Sequence, residues 1–265
     1  MVEEETVSGE IDPLLPLKGQ VAFITGSTSG IGRGIALRFA HDGADIIVHG
    51  RDTTRADEVR AEIEAMGRRA AVIIADLCVP ADCERASQEA IQAFGRIDIL
   101  VNNAGIGQNR SILRLEDESI NALIDVNLRA VILLTKRILN KMTRNPKGAG
   151  GIRGRVINIS SIDGKTGHLE QSVYDATKFA IVGFTQSLAL ELGPRKIMVN
   201  AICPGHIDTP MWGPMGVSVR GLEGTPLRRY GTPADVAEVA AFLADPRNSY
   251  MTGQSLNVCG GIEFH

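Results

Sequence analysis

Ser161, Tyr174 and Lys178 place a hydroxyl, a phenol and an ammonium close together in the chain, the last two within Y-D-A-T-K. On a helix, a four-residue spacing puts the phenol and the ammonium on one face. An ammonium beside a phenol stabilises the phenolate, which predicts a Tyr174 pKa lowered from about 10 towards neutrality. A phenol tuned in this way can give or take a proton at a carbonyl or alcohol oxygen near physiological pH. Ser161 follows the apolar run R-V-I-N-I-S and is placed to hold that same oxygen, with Ser160 as the local competitor.

A second cluster lies near the N-terminus, where the apolar run Val21–Thr25 leads into Gly26-Ser27-Thr28-Ser29-Gly30-Ile31-Gly32 and then a helical pattern. Glycines permit unusual dihedrals and a close approach of backbone to a pyrophosphate. The free N–H groups and positive dipole end of the next helix then point at that anion. The turn itself carries no G-K-[ST], so it gives no support to an ATP-hydrolysing P-loop.

Short apolar runs without alternation predict strands buried on both faces at Val21–Thr25, Asp45–His49, Ala70–Ala75, Ile97–Val101, Arg155–Ser160, Ile197–Ile202 and Gln254–Val258. Helical periodicity predicts helices over Ile31–Asp42, Arg55–Met66, Pro80–Phe94, Asp117–Thr143, Ser172–Leu192 and Pro233–Asp245. This alternation implies one α/β domain, a doubly wound parallel sheet of Rossmann type with helices on both faces. Residues 17–265 form that domain, and the acidic, proline-broken residues 1–16 read as a loose extension before it. Asn145–Gly154 reads as a surface loop.

At 265 residues and 44% apolar content, the chain is large enough for one continuous core. A net charge of -3 and 4% aromatic residues argue against nucleic acid as a partner. No apolar run reaches membrane-spanning length, and the acidic start is unlike a secretory signal. Cys78, Cys83, Cys203 and Cys259 form no C-x-x-C pair and have no matching histidine spacing. The expectation is therefore no metal, with reduced thiols in a cytoplasmic setting.

T-G-x-x-x-G-I-G, N-N-A-G at Asn102–Gly105, Ser161, Tyr174 and Lys178 together resemble the short-chain dehydrogenase/reductase family. Pro204–Gly205 and T-G-Q-S-L-N-V at Thr252–Val258 extend the likeness across Leu17 to Gly261, on the 3-oxoacyl-carrier-protein reductase and sugar-alcohol dehydrogenase side of the family. The resemblance implies hydride exchange between a nicotinamide dinucleotide and a carbonyl or secondary alcohol, with Tyr174 as general acid and base. Its thirteen-residue interval to Tyr174 selects Ser161 over Ser160. It assigns Lys178 to the nicotinamide ribose as well, and gives Asn127, in V-N-L, a water that relays protons to the lysine. For the dinucleotide it further implies Asp76 and Leu77, Asn103, Ala104 and Gly105, then Pro204, Gly205, Ile207 and Thr209 around the carboxamide. His206 has no assigned role, and Cys259 stands where relatives often carry aspartate.

The residue ending the second strand decides between coenzymes, since an acidic side chain there binds the ribose hydroxyls and repels a 2′-phosphate. Here the family's usual aspartate position falls near Gly50, and Arg51 follows, able to fork onto a 2′-phosphate. NADP(H) is favoured and NAD(H) is the alternative, since Ser29 replaces a basic residue common in NADP-preferring relatives and Asp52 is within reach of the ribose. Asp163, Lys165, His168, Glu170, Gln108 and Asn109 suggest a polar pocket, and Pro210–Tyr230 a lid. The expected substrate is a small polar ketone, ketose, polyol or hydroxy acid. The alternatives are a 3-oxoacyl thioester and, in another class, a non-catalytic dinucleotide-binding regulator. A homodimer or homotetramer is implied by resemblance alone.

Overall fold

Apolar side chains alternate between the two faces of each strand, and both faces are covered. Val21 and Phe23 pack into one core while Ala22 and Ile24 pack into the other. The strands are β1 (Val21–Ile24), β2 (Asp45–Gly50), β3 (Ala70–Ile74), β4 (Ile99–Asn102), β5 (Gly154–Ile159), β6 (Ile197–Pro204) and β7 (Ser255–Val258). All pair in parallel, in the spatial order β3-β2-β1-β4-β5-β6-β7. This computed structural model describes residues 11–212 and 224–264.

Helices α1 (Gly30–His41), α2 (Thr53–Ala65) and α7 (Pro233–Ala244) cover one face, supplying Ile35, Phe39, Val59, Ile63 and Val236 to its core. Helices α3 (Pro80–Phe94), α5 (Ala130–Met142) and α6 (Ser172–Leu192) cover the other with Ala86, Leu134, Ile138, Leu188 and Leu192. The doubly wound α/β architecture expected from the strand–helix alternation is the one observed. Strand order reverses between β1 and β4, so connections leave in opposite directions and open a crevice beyond the carboxyl ends of these strands. That crevice positions the site.

One long helix was expected over Asp117–Thr143. Instead α4 (Asp117–Ile124) passes through a π-turn, Asp125–Arg129, into α5. The extra residue per turn rotates Asn127 towards the backbone of Ile106. The apolar period continues through the insertion, so the pattern alone does not reveal it.

Buried amides brace the sheet beneath the crevice. Asn102 Nδ2 donates to Thr135 Oγ1 at 2.9 Å and to Asn158 Oδ1 at 2.8 Å, and Asn158 Nδ2 donates to Thr185 Oγ1 at 2.9 Å. Asn102 thus ties β4 to β5 and α5, and does not face the crevice. Of the Pro210–Tyr230 lid, residues 213–223 lie outside the described residues, as do residues 1–10 of the N-terminal extension. Among the described residues, no helix is long and apolar enough to cross a membrane.

Candidate active site

The first wall of the cleft is the turn between β1 and α1. Gly26 has φ +63°, and a Cβ there would stand 2.9 Å from Ala104 Cα. Gly32 is extended by no side chain for a different reason: a Cβ would meet Gly26 O at 2.3 Å and Asn103 Nδ2 at 2.4 Å. Gly26, Ser29, Gly30 and Ile31 line the cleft, and Ser29 caps α1 without a side-chain hydrogen bond. The first N–H groups of α1 therefore remain available to an anion, with no acidic residue in the first turn to repel it. Ser27 and Gly32 do not line the cleft. Ser27 Oγ donates to Ile24 O and accepts from the His49 amide, locking the turn to β2.

His49 is a buttress that the sequence did not announce. Its Nδ1 accepts from the Gly26 amide at 3.1 Å. Burial lowers its pKa to about 4, so the ring stays neutral and keeps that lone pair. The only hint was a histidine inside an otherwise apolar strand.

At the end of β2, Gly50 lies against Thr28, where a Cβ would approach Cγ2 to 2.4 Å. An aspartate at 50 would collide with the turn. Asp52 does not replace it: Oδ1 accepts from the Arg55 amide as the cap of α2, and Oδ2 lies 3.5 Å from the Arg55 guanidinium. Arg51 lines the cleft and forms no ion pair among the described residues. Asp76 and Leu77 line the same end, and Asp76 Oδ1 accepts from the Cys78 amide.

The floor follows β4. Asn103, Ala104 and Gly105 line the cleft, but the Asn103 side chain is committed, donating to Thr25 O at 2.9 Å and Gly26 O at 3.1 Å. Pro204, Gly205, Ile207 and Thr209 line the far side after β6, with His206 beside them. Thr209 meets the turn at Gly30, where a Cβ would be 3.3 Å from Thr209 Cγ2, so both banks of the cleft touch there.

Ser161, Tyr174 and Lys178 stand together on the remaining wall. Gln108 and Asn109 line a small side pocket with Tyr174, and Gln108 Oε1 also accepts from the Val173 and Tyr174 amides, both at 3.1 Å, fixing the start of α6. Ser160 Oγ donates to Lys178 O at 2.9 Å, a structural bond that leaves Ser161 as the hydroxyl nearer the phenol. Lys178 is 5% exposed; its Nζ donates to Ile159 O at 3.0 Å and lies 5.5 Å from the Tyr174 ring centre. Asn127, 1% exposed, accepts from Ile106 N and donates to Ile106 O and Thr177 Oγ1. It stands behind the lining and flanks Gly105 opposite Lys178, since a Cβ on Gly105 would lie 3.3 Å from Asn127 Oδ1 and 3.7 Å from Lys178 Nζ.

The expected lowering of the Tyr174 pKa is not what this cleft produces. Burial raises it, the Asp163 and Asp175 carboxylates add to the rise, and only the Ser161 hydroxyl opposes them. Lys178 gives little relief because it reaches for Ile159 O over the ring face, and burial lowers its own pKa to about 8. Tyr174 is thus a protonated phenol at neutral pH, ready to donate.

The sign of the lysine shift sets a pH dependence. Below about 8 Lys178 is an ammonium, and above it an uncharged amine, whereas an unperturbed lysine keeps its charge to about 10.4. Affinity for anionic NADPH, titrated calorimetrically on the free protein, is expected to fall as pH rises through about 8. An affinity that stays flat to roughly pH 10 would show that the lysine is not depressed.

The family profile described as "Enoyl-(Acyl carrier protein) reductase" matches residues 26–263. The chain is 40% identical over 248 residues to a 3-oxoacyl-[acyl-carrier-protein] reductase of Synechocystis sp., covering 93% of this chain and 98% of that protein. A short-chain dehydrogenase from Burkholderia cenocepacia J2315, solved in complex with NADP, superposes with a TM-score of 0.86 at 37% identity, covering 93% of this chain and 99% of that one. The 3-ketoacyl-(acyl-carrier-protein) reductase from Brucella melitensis, complexed with NADH, gives a TM-score of 0.87 at 36% identity over 94% of this chain and all of that one (100%). Sheet order, motif order and these relatives agree: the chain belongs to the short-chain dehydrogenase/reductase family, oxidoreductases of carbonyl and alcohol groups.

Proposed function

We propose that the protein reduces a 3-oxoacyl thioester to the 3-hydroxyacyl thioester, using NADP(H) in preference to NAD(H). The observation that carries the reaction type is the shared wall of Ser161, Tyr174 and Lys178, at the other end of one continuous cleft from the uncapped start of α1. The thioester, a secondary expectation of the sequence, displaces the small polar ketone because the Synechocystis and Brucella relatives are named for it.

The residues fit a dinucleotide. Gly26 and Gly32 let the turn close tightly, since a Cβ at either would strike neighbouring backbone, and the open N–H groups of α1 suit a pyrophosphate. Arg51, in no ion pair among the described residues, would hold the 2′-phosphate, with Asp76 and Leu77 at the adenine and Asn103, Ala104 and Gly105 along the ribose. Pro204, Gly205, Ile207 and Thr209 would hold the carboxamide, and Ser29, Gly30 and Ile31 the phosphates, with Ser27 and Gly32 shaping the turn from behind. Bound and reduced, the coenzyme supplies the hydride. Ser161 holds the ketone oxygen, and the Tyr174 phenol gives that oxygen its proton as negative charge develops there. Lys178 orients the ribose, and Asn127 holds the Ile106 backbone and α6 in register as a positioning residue.

Arg51→Ala is expected to lower kcat/KM for NADPH by about 10- to 100-fold, the worth of charge-assisted hydrogen bonds of 1.5–3 kcal/mol, and to leave NADH nearly unchanged. Equal losses with both coenzymes would remove Arg51 from the 2′-phosphate. The substrate is tested by following NADPH absorbance with acetoacetyl-coenzyme A against small ketoses and 2-oxo acids. The proposal predicts the highest kcat/KM for the thioester, and a higher value for a ketose would restore the polar substrate. Assembly as a homodimer or homotetramer is part of this proposal, supported by the exposure of Phe179 and Leu190 on α6.

A further inference from the structure

Three side chains converge beside the reacting wall, two of them the carboxylates that help to raise the Tyr174 pKa. Asp163 lies in the short turn after β5, His168 in the loop that follows, and Asp175 in the first turn of α6. One nitrogen or oxygen donor atom from each falls within 4.8 Å of the other two. His168 Nδ1 lies 2.8 Å from Asp163 Oδ1, yet the pair is not aligned as a hydrogen bond and Nδ1 has no hydrogen-bond partner.

Asp175 adds an independent observation. The residue is 6% exposed, and its Oδ2 accepts from the His168 amide at 2.7 Å, which pins the histidine loop against α6. Its Oδ1 is buried and has no hydrogen-bond partner. A carboxylate oxygen buried without a donor is costly unless a positive charge shares it. Two carboxylates beside an imidazole supply negative charge to balance a divalent cation. The mixed oxygen and nitrogen donors suit a first-row transition ion, whereas magnesium and calcium favour oxygen alone. Three protein donors also leave a fourth, tetrahedral position open. Asp163 and His168 line the same cleft as Ser161 and Tyr174, so the cluster adjoins the reacting wall.

We propose that Asp163, His168 and Asp175 form a binding site for a divalent transition-metal ion of zinc type at the substrate end of the cleft. The donors come from a turn, a loop and a helix, and no cysteine takes part, so no regular ligand spacing marks the site in the chain.

The test is calorimetric titration of the chelator-treated full chain with zinc chloride, without dinucleotide. One saturable site per chain is expected. His168→Gln and Asp175→Asn should each weaken it by at least about tenfold, as loss of a ligand should cost no less than loss of an outer-shell partner. His41→Gln, Cys78→Ser and Cys259→Ser, all outside the cluster, should leave the affinity unchanged. Absence of saturable binding overturns the proposal, as does equal affinity in wild type, His168→Gln and Asp175→Asn. Should those variants fail to fold, anomalous scattering from wild-type crystals soaked in zinc chloride decides without them. A peak between the three side chains supports the site, and a peak only elsewhere, or none, contradicts it.

Discussion

Tyr174→Phe is expected to lower kcat by about 10²- to 10⁴-fold, the usual contribution of a positioned general acid, while leaving NADPH affinity close to that of the wild type. The phenol is protonated at neutral pH because burial and the Asp163 and Asp175 carboxylates hold its pKa up. Its hydroxyl is therefore a donor before substrate arrives, and phenylalanine removes only that donor while keeping the ring beside Lys178. Steady-state turnover at 340 nm and calorimetric NADPH titration separate the two effects. Wild-type turnover in Tyr174→Phe would contradict the assignment, and joint loss of turnover and coenzyme binding would assign Tyr174 to binding instead.

Gly32→Ala should be the most damaging change to the coenzyme cradle. The added methyl would stand 2.3 Å from Gly26 O and 2.4 Å from Asn103 Nδ2. Neither neighbour can yield easily. Gly26 O belongs to the turn itself, and Asn103 Nδ2 already donates to both Thr25 O and Gly26 O. Overpacking of this kind costs about 1–3 kcal/mol of stability, and the shifted turn would no longer present the α1 N–H groups to a pyrophosphate. Thermal or urea unfolding should show the destabilisation, and NADPH titration the loss of binding. A variant that binds NADPH like the wild type would mean that the turn tolerates a side chain from behind.

The fold was legible because strands buried on both faces carry unbroken apolar runs that periodicity can find, as Val21–Ile24 and Ile197–Pro204 do. Strand ends shifted by a few residues, since fraying ends depend on hydrogen-bond partners from other strands. The π-turn at Asp125–Arg129 escaped because helical periodicity continues through it. In the cleft, the Tyr174 and Lys178 pair was readable from spacing and Ser161 from the family resemblance, whereas Ser27 and Gly32, expected at the coenzyme, stand behind the turn.

What spacing does not encode is the direction in which a side chain spends its hydrogen bonds. Asp52 reads as a ribose ligand and is a helix cap, and Gln108, which lines a side pocket as read, also spends its carbonyl on the start of α6. Lys178 reads as a charge beside a phenol, yet its donor goes to Ile159 O and burial weakens it, so the Tyr174 shift reversed. The meeting of Asp163, His168 and Asp175 is a product of tertiary packing, and the chain order shows them only as scattered polar residues.

The central claim is tested most directly by a crystal structure of this protein with NADPH bound. The account predicts the pyrophosphate on the start of α1, the 2′-phosphate at Arg51 and the nicotinamide ribose at Lys178. The reactive ring carbon should then face the space between Ser161 and Tyr174, leaving room for a carbonyl carbon at about 3–3.5 Å. A nicotinamide ring directed away from Tyr174, or a dinucleotide bound outside this cleft, would contradict it.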